Sequence, residues 1–181
     1  MLPKERILAA IKRKETDRVP FTDNPWETTI RRWRKEGLPP RKSAADYFEF
    51  ETAQFGPDTS FMLRRKTLEE TDEYEIFTDN SGATLKNWKN STSTPELIDF
   101  YLTTRERWEE LKHRLVFKKN RIKWRTDKPN LEKAKKQGKF ILFGAGIGYD
   151  RFSTIIGPMT LLPALLMEPD WVIEIWERHT N

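Results

Sequence analysis

Three stretches of this chain hold residue types that can do chemistry. Asp23-Asn24-Pro25 follows Arg18-Val19-Pro20-Phe21-Thr22, a short strand candidate in which Pro20 favours an extended residue before it. A carboxylate at Asp23 can orient a substrate or accept a proton. It can equally cap the helix that follows, or make a turn with Asn24 and Pro25. Tyr149-Asp150-Arg151 comes after the apolar run Phe140-Ile141-Leu142-Phe143 and the glycine-rich Gly144-Ala145-Gly146-Ile147-Gly148. The Arg151 guanidinium suits bidentate contact with a carboxylate or phosphate. Its plainer use is a salt bridge at the rim of the domain. The glycines lack the spacing and the Rossmann surroundings of a dinucleotide fingerprint. They permit a tight loop or the close approach of a ligand.

The third stretch, Lys112 to Lys139, carries twelve Lys/Arg against only Asp127 and Glu132. The net charge of +5 is therefore local: this segment is +10 and the remainder of the chain is −5. With Trp124 it is a candidate surface for single-stranded nucleic acid. It shows no recognised binding motif, so it reads instead as an exposed helix and loop on the outside of the domain, and nucleic acid is not the expected partner. His113 lies on a charged helix and reads as solvated. His179, one turn beyond Trp176, reads as packing or as helix C-terminal chemistry. Neither histidine has a partner at metal-ligand spacing, and no metal ligand is assigned. With no cysteine, disulfides, thiolate metal sites and a cysteine nucleophile are excluded within these residues.

The elements that must position these groups follow from composition and periodicity. A length of 181 residues suits one domain with a real core. Charged residues at 34% argue against a membrane protein, and aromatics at 12% argue against disorder. The most apolar stretch, Ile155 to Met167, is too short to span a bilayer and carries Pro158 and Pro163. The opening Met1-Leu2-Pro3-Lys4-Glu5-Arg6 starts a charged helix rather than a signal segment, and the expected location is the cytoplasm.

Helices are expected over residues 3–14, with Ile7, Leu8 and Ile11 as the buried stripe and Arg6 facing water. Others are expected over 26–36, around Ala44–Phe48, after Thr94, over 130–137, over 159–167 and from Pro169 on. Thr103 with Glu106 reads as a capping box. The last helix should bury Val172, Ile175 and Trp176. Residues 60–89 alternate as strands around the turn Asp79-Asn80-Ser81-Gly82, an antiparallel meander. Phe140–Phe143 looks like a parallel strand buried on both faces.

Two phrases, in order, carry a family likeness. The first is Lys4-Glu5-Arg6-Ile7-Leu8-Ala9-Ala10-Ile11 followed by Asp17-Arg18-Val19-Pro20-Phe21. The second is Ser93-Thr94-Pro95-Glu96-Leu97-Ile98-Asp99-Phe100 followed by Arg105-Glu106-Arg107-Trp108-Glu109-Glu110-Leu111-Lys112. Together with Asp72–Ile76, Asp79, Gly82, Trp88 and the stretch from Leu142 to Trp171, they resemble the uroporphyrinogen decarboxylase superfamily. The likeness is nearest its methyltransferase-like or uncharacterised branch. The resemblance implies an α/β fold, the N-terminal part of a (β/α)8 TIM barrel with the meander inserted at 60–89. It implies that residues 1–181 form a single incomplete barrel domain, the C-terminal half of the barrel being absent.

Decarboxylases proper carry an Arg-Gln-Ala-Gly-Arg loop after the first strand, where this chain has Asp23-Asn24-Pro25-Trp26-Glu27-Thr28. The resemblance therefore leans toward methyl transfer through a corrinoid or thiol over decarboxylation of a tetrapyrrole. Asp23 is the nearest available catalytic carboxylate, and Tyr149 and Arg151 are substrate-binding candidates. The implied partner is a small molecule, a tetrapyrrole or a methyl donor. No cofactor is assigned to these residues; zinc and a corrinoid belong only to a full-length methyltransferase. Two alternatives stand beside this: an inactive half-barrel that self-associates or needs a partner chain, and a basic nucleic-acid-binding protein.

Overall fold

The computed structural model describes residues 1–180. In chain order its elements are α1 (Pro3–Ile11), α2 (Glu27–Lys35), α3 (Ala44–Tyr47), β1 (Thr52–Phe55), β2 (Lys66–Glu70), β3 (Tyr74–Thr78), β4 (Ala83–Trp88) and β5 (Glu96–Phe100). There follow α4 (Arg105–Leu111), α5 (Trp124–Lys136), β6 (Phe140–Phe143), α6 (Gly148–Ile156), α7 (Pro158–Met167) and α8 (Pro169–Thr180). The fold is mixed α/β, with a two-stranded parallel sheet and a four-stranded antiparallel one, and neither closes into a barrel. The chain divides into two compact units. One comprises Met1–Pro57 and Ile122–Gly144; the other comprises Asp58–Arg121 and the chain from Ala145 on.

In the first unit β1 and β6 run parallel, from Thr52 opposite Phe140 to Phe55 opposite Phe143. Their C-terminal ends meet so closely that a Cβ on Gly56 would collide with the Gly144 carbonyl, which fixes glycine there. The expected burial of β6 on both faces is not found. Phe140 and Ile141 are half-buried, while Phe143 is 73% exposed, because a two-stranded sheet leaves much of each strand uncovered. Ile30, Trp33 and Ala45 pack on the small core of Leu38, Ala44 and Phe50.

Helix α1 reverses its expected orientation. Arg6 is buried, whereas Leu8 and Ile11 are exposed. An ion cluster at Glu51, described below, turns the helix. Residues 19–21 form no strand. Pro20 offers no N–H, and the segment is held to Glu51 by one backbone bond, Glu51 N–H to Phe21 O at 2.9 Å. Helix α5 begins six residues before the expected start and carries Pro129 within it.

In the second unit the sheet order is β2-β3-β4-β5, all antiparallel. The expected turn closes β3 onto β4: Asp79 Oδ1 accepts the N–H groups of Ser81 and Ala83 at 2.8 and 2.9 Å. The helix expected after Thr94 is instead strand β5, paired with β4 from Ala83–Phe100 to Lys86–Glu96. A five-residue helix is marginal, and a ladder on an open sheet edge outweighs its cap. The cap of α4 is Thr104 rather than Thr103, its Oγ1 accepting from Arg107 N–H at 3.4 Å.

The core gathers Phe61, Leu102 and Trp108 with Phe152, Ile156, Trp171 and neighbours. Val172 and Ile175 are buried as expected, but Trp176 is nearly half exposed. Between α6 and α7, Gly157 adopts φ 85°, and a Cβ there would come within 2.6 Å of the Phe100 ring. Both facts exclude any other residue.

Arg121 is a buried staple. Its guanidinium donates to the carbonyls of Val116 (2.9 Å), Asp58 (2.6 Å), Ser60 (2.9 Å) and Arg114. No lysine can reproduce that fork. Replacing Arg121 by Ala strands four carbonyl acceptors, one of them on buried Ser60, and should cost about 3 kcal/mol in urea unfolding. Arg121→Lys should recover less than half of the loss. Full recovery by lysine would show that charge alone matters there.

A second prediction concerns acid. Asp46 accepts from Lys133 Nζ at 2.8 Å and from Ser43 Oγ at 2.7 Å. Lys133, then Ser43, hold its carboxyl down to about 2, against an ordinary 3.8. Folded Asp46 thus binds its proton less readily than unfolded Asp46. The resulting stability is complete above pH 3.8 and is lost as pH falls toward about 2. Asp46→Asn should flatten the stability slope in that window, read by thermal melts at successive pH values.

Candidate functional site

Arg151 is the sequence candidate that the structure surrounds with other polar groups. It lies on the first turn of α6, which begins at Gly148 with φ 72°, so Tyr149, Asp150 and Arg151 are helical rather than part of a loop. Gly146 passes beneath the Arg151 stem, a Cβ there lying 3.2 Å from Arg151 Cδ. The guanidinium donates Nη2–H to Ser81 Oγ at 3.3 Å, and its buried Nε has no hydrogen-bond partner. Ser81 is itself buried. Asp79 and Asp58 act on Arg151 through space; burial lowers the guanidinium pKa and the two carboxylates oppose that. It stays charged at neutral pH. Burial pushes the Asp58 carboxyl up, but the bond from Ser60 and the charges of Arg121 and Arg151 pull harder, leaving it below its usual range.

His179 completes this corner. Its Nε2 lies 3.1 Å from Gly146 O and its ring packs edge-on to Phe152, with centroids 5.5 Å apart. A carbonyl only accepts, so Nε2 carries the proton. Asp58, Asp79, Ser81 and His179 were not singled out from sequence as site residues. The Asp-Asn-Ser-Gly turn was visible as a turn, but its approach to Arg151 is a long-range fact. The arrangement is a half-buried cation with an unused N–H donor, suited to recognising an anionic oxygen. Tyr149 is exposed.

A cleft of about 430 Å³ in the same unit is lined by Leu63, Arg64, Lys66, Tyr101 and Arg114, with Asp79 and Gly82 at the turn. Of its acids, Glu110 is engaged by Tyr101 Oη at 2.6 Å and by Arg107. Asp79 Oδ1 is engaged by the turn.

Asp23 belongs to the first unit, away from any such grouping. It is exposed, and its Oδ1 accepts from Asn24 N–H at 2.7 Å. It does not cap α2, whose N-cap is Trp26. The polar focus of that unit is instead Glu51, wholly buried at the start of β1. Its Oε1 lies 2.9 Å from Arg6 Nη1 and 2.6 Å from Arg18 Nη2. These are ion-pair distances without hydrogen-bond alignment, and Oε2 has no hydrogen-bond partner. Arg6 also donates to Asp17 through Nε at 2.6 Å and Nη2 at 2.9 Å. That contact holds Asp17 well below the usual carboxylate range. The Asp17-Arg18 pair of the opening phrase is therefore structural.

The basic stretch is less free than its charge suggests. Arg121 points inward, Lys112 is paired with Glu109 and Glu174, and Lys133 is paired with Asp46. No group of three His, Cys, Asp or Glu able to hold a metal ion occurs among the described residues, so they do not fit a zinc site. No described helix is long and apolar enough to cross a membrane.

Burial lowers the His179 pKa, more than its bond to Gly146 raises it. A depressed folded value means that protonation favours the unfolded chain. Stability should be complete above pH 6.5 and should fall as pH drops through the folded pKa. His179→Gln should remove that acid-side loss below pH 6.5, measured by thermal denaturation. An unchanged slope would place the titrating group elsewhere.

No family model, no curated protein and no solved structure matches this chain.

Proposed function

We propose that this chain contributes neighbouring strands to a (β/α)8 barrel of the uroporphyrinogen decarboxylase superfamily, on its methyltransferase-like side. The observation that carries this reading is the parallel β1–β6 pair with its apolar ends in water. Parallel strands are characteristically covered on both faces, and Phe143 is 73% exposed. Further strands and helices would cover it in a barrel. The meander lies between these strands in sequence, in keeping with the resemblance, and extends through β5.

In this reading Arg151 binds an anionic group of the substrate, and Tyr149 lies beside it in sequence at the start of α6. The absence of an arginine-rich loop at Asp23–Thr28 favours a corrinoid or thiol methyl-transfer system over a tetracarboxylate substrate. No group of three His, Cys, Asp or Glu able to hold a metal ion occurs among the described residues.

A second reading, an inactive half-barrel completed by another chain, draws on the same uncovered strand. Spectroscopic titration separates the two. The methyltransferase reading expects saturable binding of methylcobalamin, weakened about tenfold by Arg151→Ala through loss of one charged contact, and no binding of a tetracarboxylate porphyrin. Binding of neither compound favours the half-barrel, and preference for the porphyrin restores the decarboxylase.

A further inference from the structure

The cleft of about 430 Å³ in the second unit carries a positive charge that its own residues leave unanswered. Arg64, Lys66 and Arg114 line it, the first two from the chain entering β2 and the third from the turn after α4. All three are exposed, and among the described residues none of their side chains has a carboxylate partner. Their neighbours differ. Arg65 turns away from the cleft, pairing with Glu75 at 2.7 Å and lying 3.9 Å from the Phe77 ring. Lys66 stands opposite Thr78, which also lines the cleft. The alternation is that of a strand, with Arg64 and Lys66 on the cleft side. Arg107 is taken up by Glu110, at 3.0 Å. The other acid of the lining, Asp79, holds its own turn through Oδ1. Leu63 and Tyr101 supply apolar lining, and they meet closely at Gly82. With φ 87° there, a Cβ would lie 3.1 Å from Tyr101 Cβ and 3.3 Å from Leu63 Cδ1. Before them Met62 holds φ 53°, in the left-handed region that a side chain disfavours. Its N–H donates to Ser60 Oγ and the N–H of Leu63 to Asn80 O, each at 3.0 Å. The chain thus leaves the core at buried Phe61 and delivers Leu63 and Arg64 to the cleft through a strained residue held on both sides.

We propose that this cleft binds the diphosphate group of a small organic molecule, with the apolar part of that molecule against Leu63 and Tyr101. The cations select the diphosphate. Two guanidiniums offer forked donors and Lys66 a point charge, a set that meets phosphate oxygens on several sides. A diphosphate concentrates its charge on adjacent phosphorus centres, so one group can engage all three, whereas a single carboxylate would leave cations unanswered. The shape selects a small molecule. The cleft is concave and partly apolar, with a volume in the range of ligand pockets, while a nucleic-acid strand is held along an open basic track. The site is independent of the barrel reading: Arg151 does not line it, and every lining residue belongs to the stretch Asp58–Arg121.

Isothermal titration calorimetry of the full chain with inorganic pyrophosphate tests it, at about 0.1 M salt so that long-range attraction is screened. The wild-type chain should bind saturably at a single site. Arg64→Ala and Arg114→Ala should each weaken binding about tenfold through loss of one charged contact. Lys118→Ala removes an equal charge from an exposed position outside the cleft and should leave binding unchanged. Each variant truncates an exposed side chain and should keep the wild-type circular dichroism; Lys66→Gln provides a further variant at a separate position. A nucleoside diphosphate and an isoprenoid diphosphate then distinguish the two kinds of body, and one of them should bind more tightly than pyrophosphate. Absence of pyrophosphate binding overturns the proposal, as does equal weakening by Lys118→Ala, citrate binding as tight as that of pyrophosphate, or no gain from either organic diphosphate. Affinity for a single-stranded oligonucleotide without affinity for pyrophosphate assigns the cations to nucleic acid and also overturns it.

Discussion

A carboxylate without access to water sits at the start of β1, and the first compact unit is arranged around it. Burying an unpaired Glu51 would cost several kcal/mol, so cations must come to it. Arg6 comes from α1 and Arg18 from the segment after α1. The backbone of the same residue takes Phe21 on one side, and its carbonyl accepts Phe140 N–H at 2.8 Å on the other. One residue thus ties the opening helix, the 17–21 segment and the parallel strand pair. That explains why α1 presents Ile11 to water: the helix is oriented by charge, and its apolar stripe yields. Removing either arginine leaves Glu51 underpaired, whereas removing an exposed lysine from α5 leaves nothing buried unpaired.

What the sequence made legible was local. The 60–89 alternation, the Asp79–Gly82 turn, and the positions of α2, α7 and α8 follow from periodicity and punctuation, and they appear where expected. Thr52–Phe55 went unread because four residues with a Gln among them give no pattern. Glu96–Phe100 was misread because Thr94-Pro95 is a sound helix start, and only the neighbouring β4 edge reveals the better partner. Arg6 and Arg121 look like any surface cation in sequence; their burial depends on acceptors tens of residues away. For the site, position after a glycine-rich stretch was enough to single out Arg151. Ser81, Asp58, Asp79 and His179 reach it only through folding.

The two buried arginines solve different problems. Arg6 neutralises carboxylates, Asp17 and Glu51. Arg121 meets carbonyls, organising the stretch from Arg114 to itself around a single guanidinium, and so lies inside a segment whose other cations mostly face water. Arg151 is the third case, a cation with near carboxylates but no direct pairing and one buried donor to spare. A structural arginine uses up its donors; one that keeps a donor is the better candidate for a ligand.

The parallel pairing of β1 with β6 also has a kinetic consequence. Residues 56–139 intervene between the two strands, and closing a flexible loop of that length costs on the order of 4 kcal/mol in chain entropy. Asp58–Arg121 lies wholly within that loop, and its hairpins and α4 can form from neighbours in sequence. Once formed, they shorten the effective loop. The β1–β6 ladder is thus the contact that gains most from waiting, a late step in folding whose rate follows how well the meander forms first.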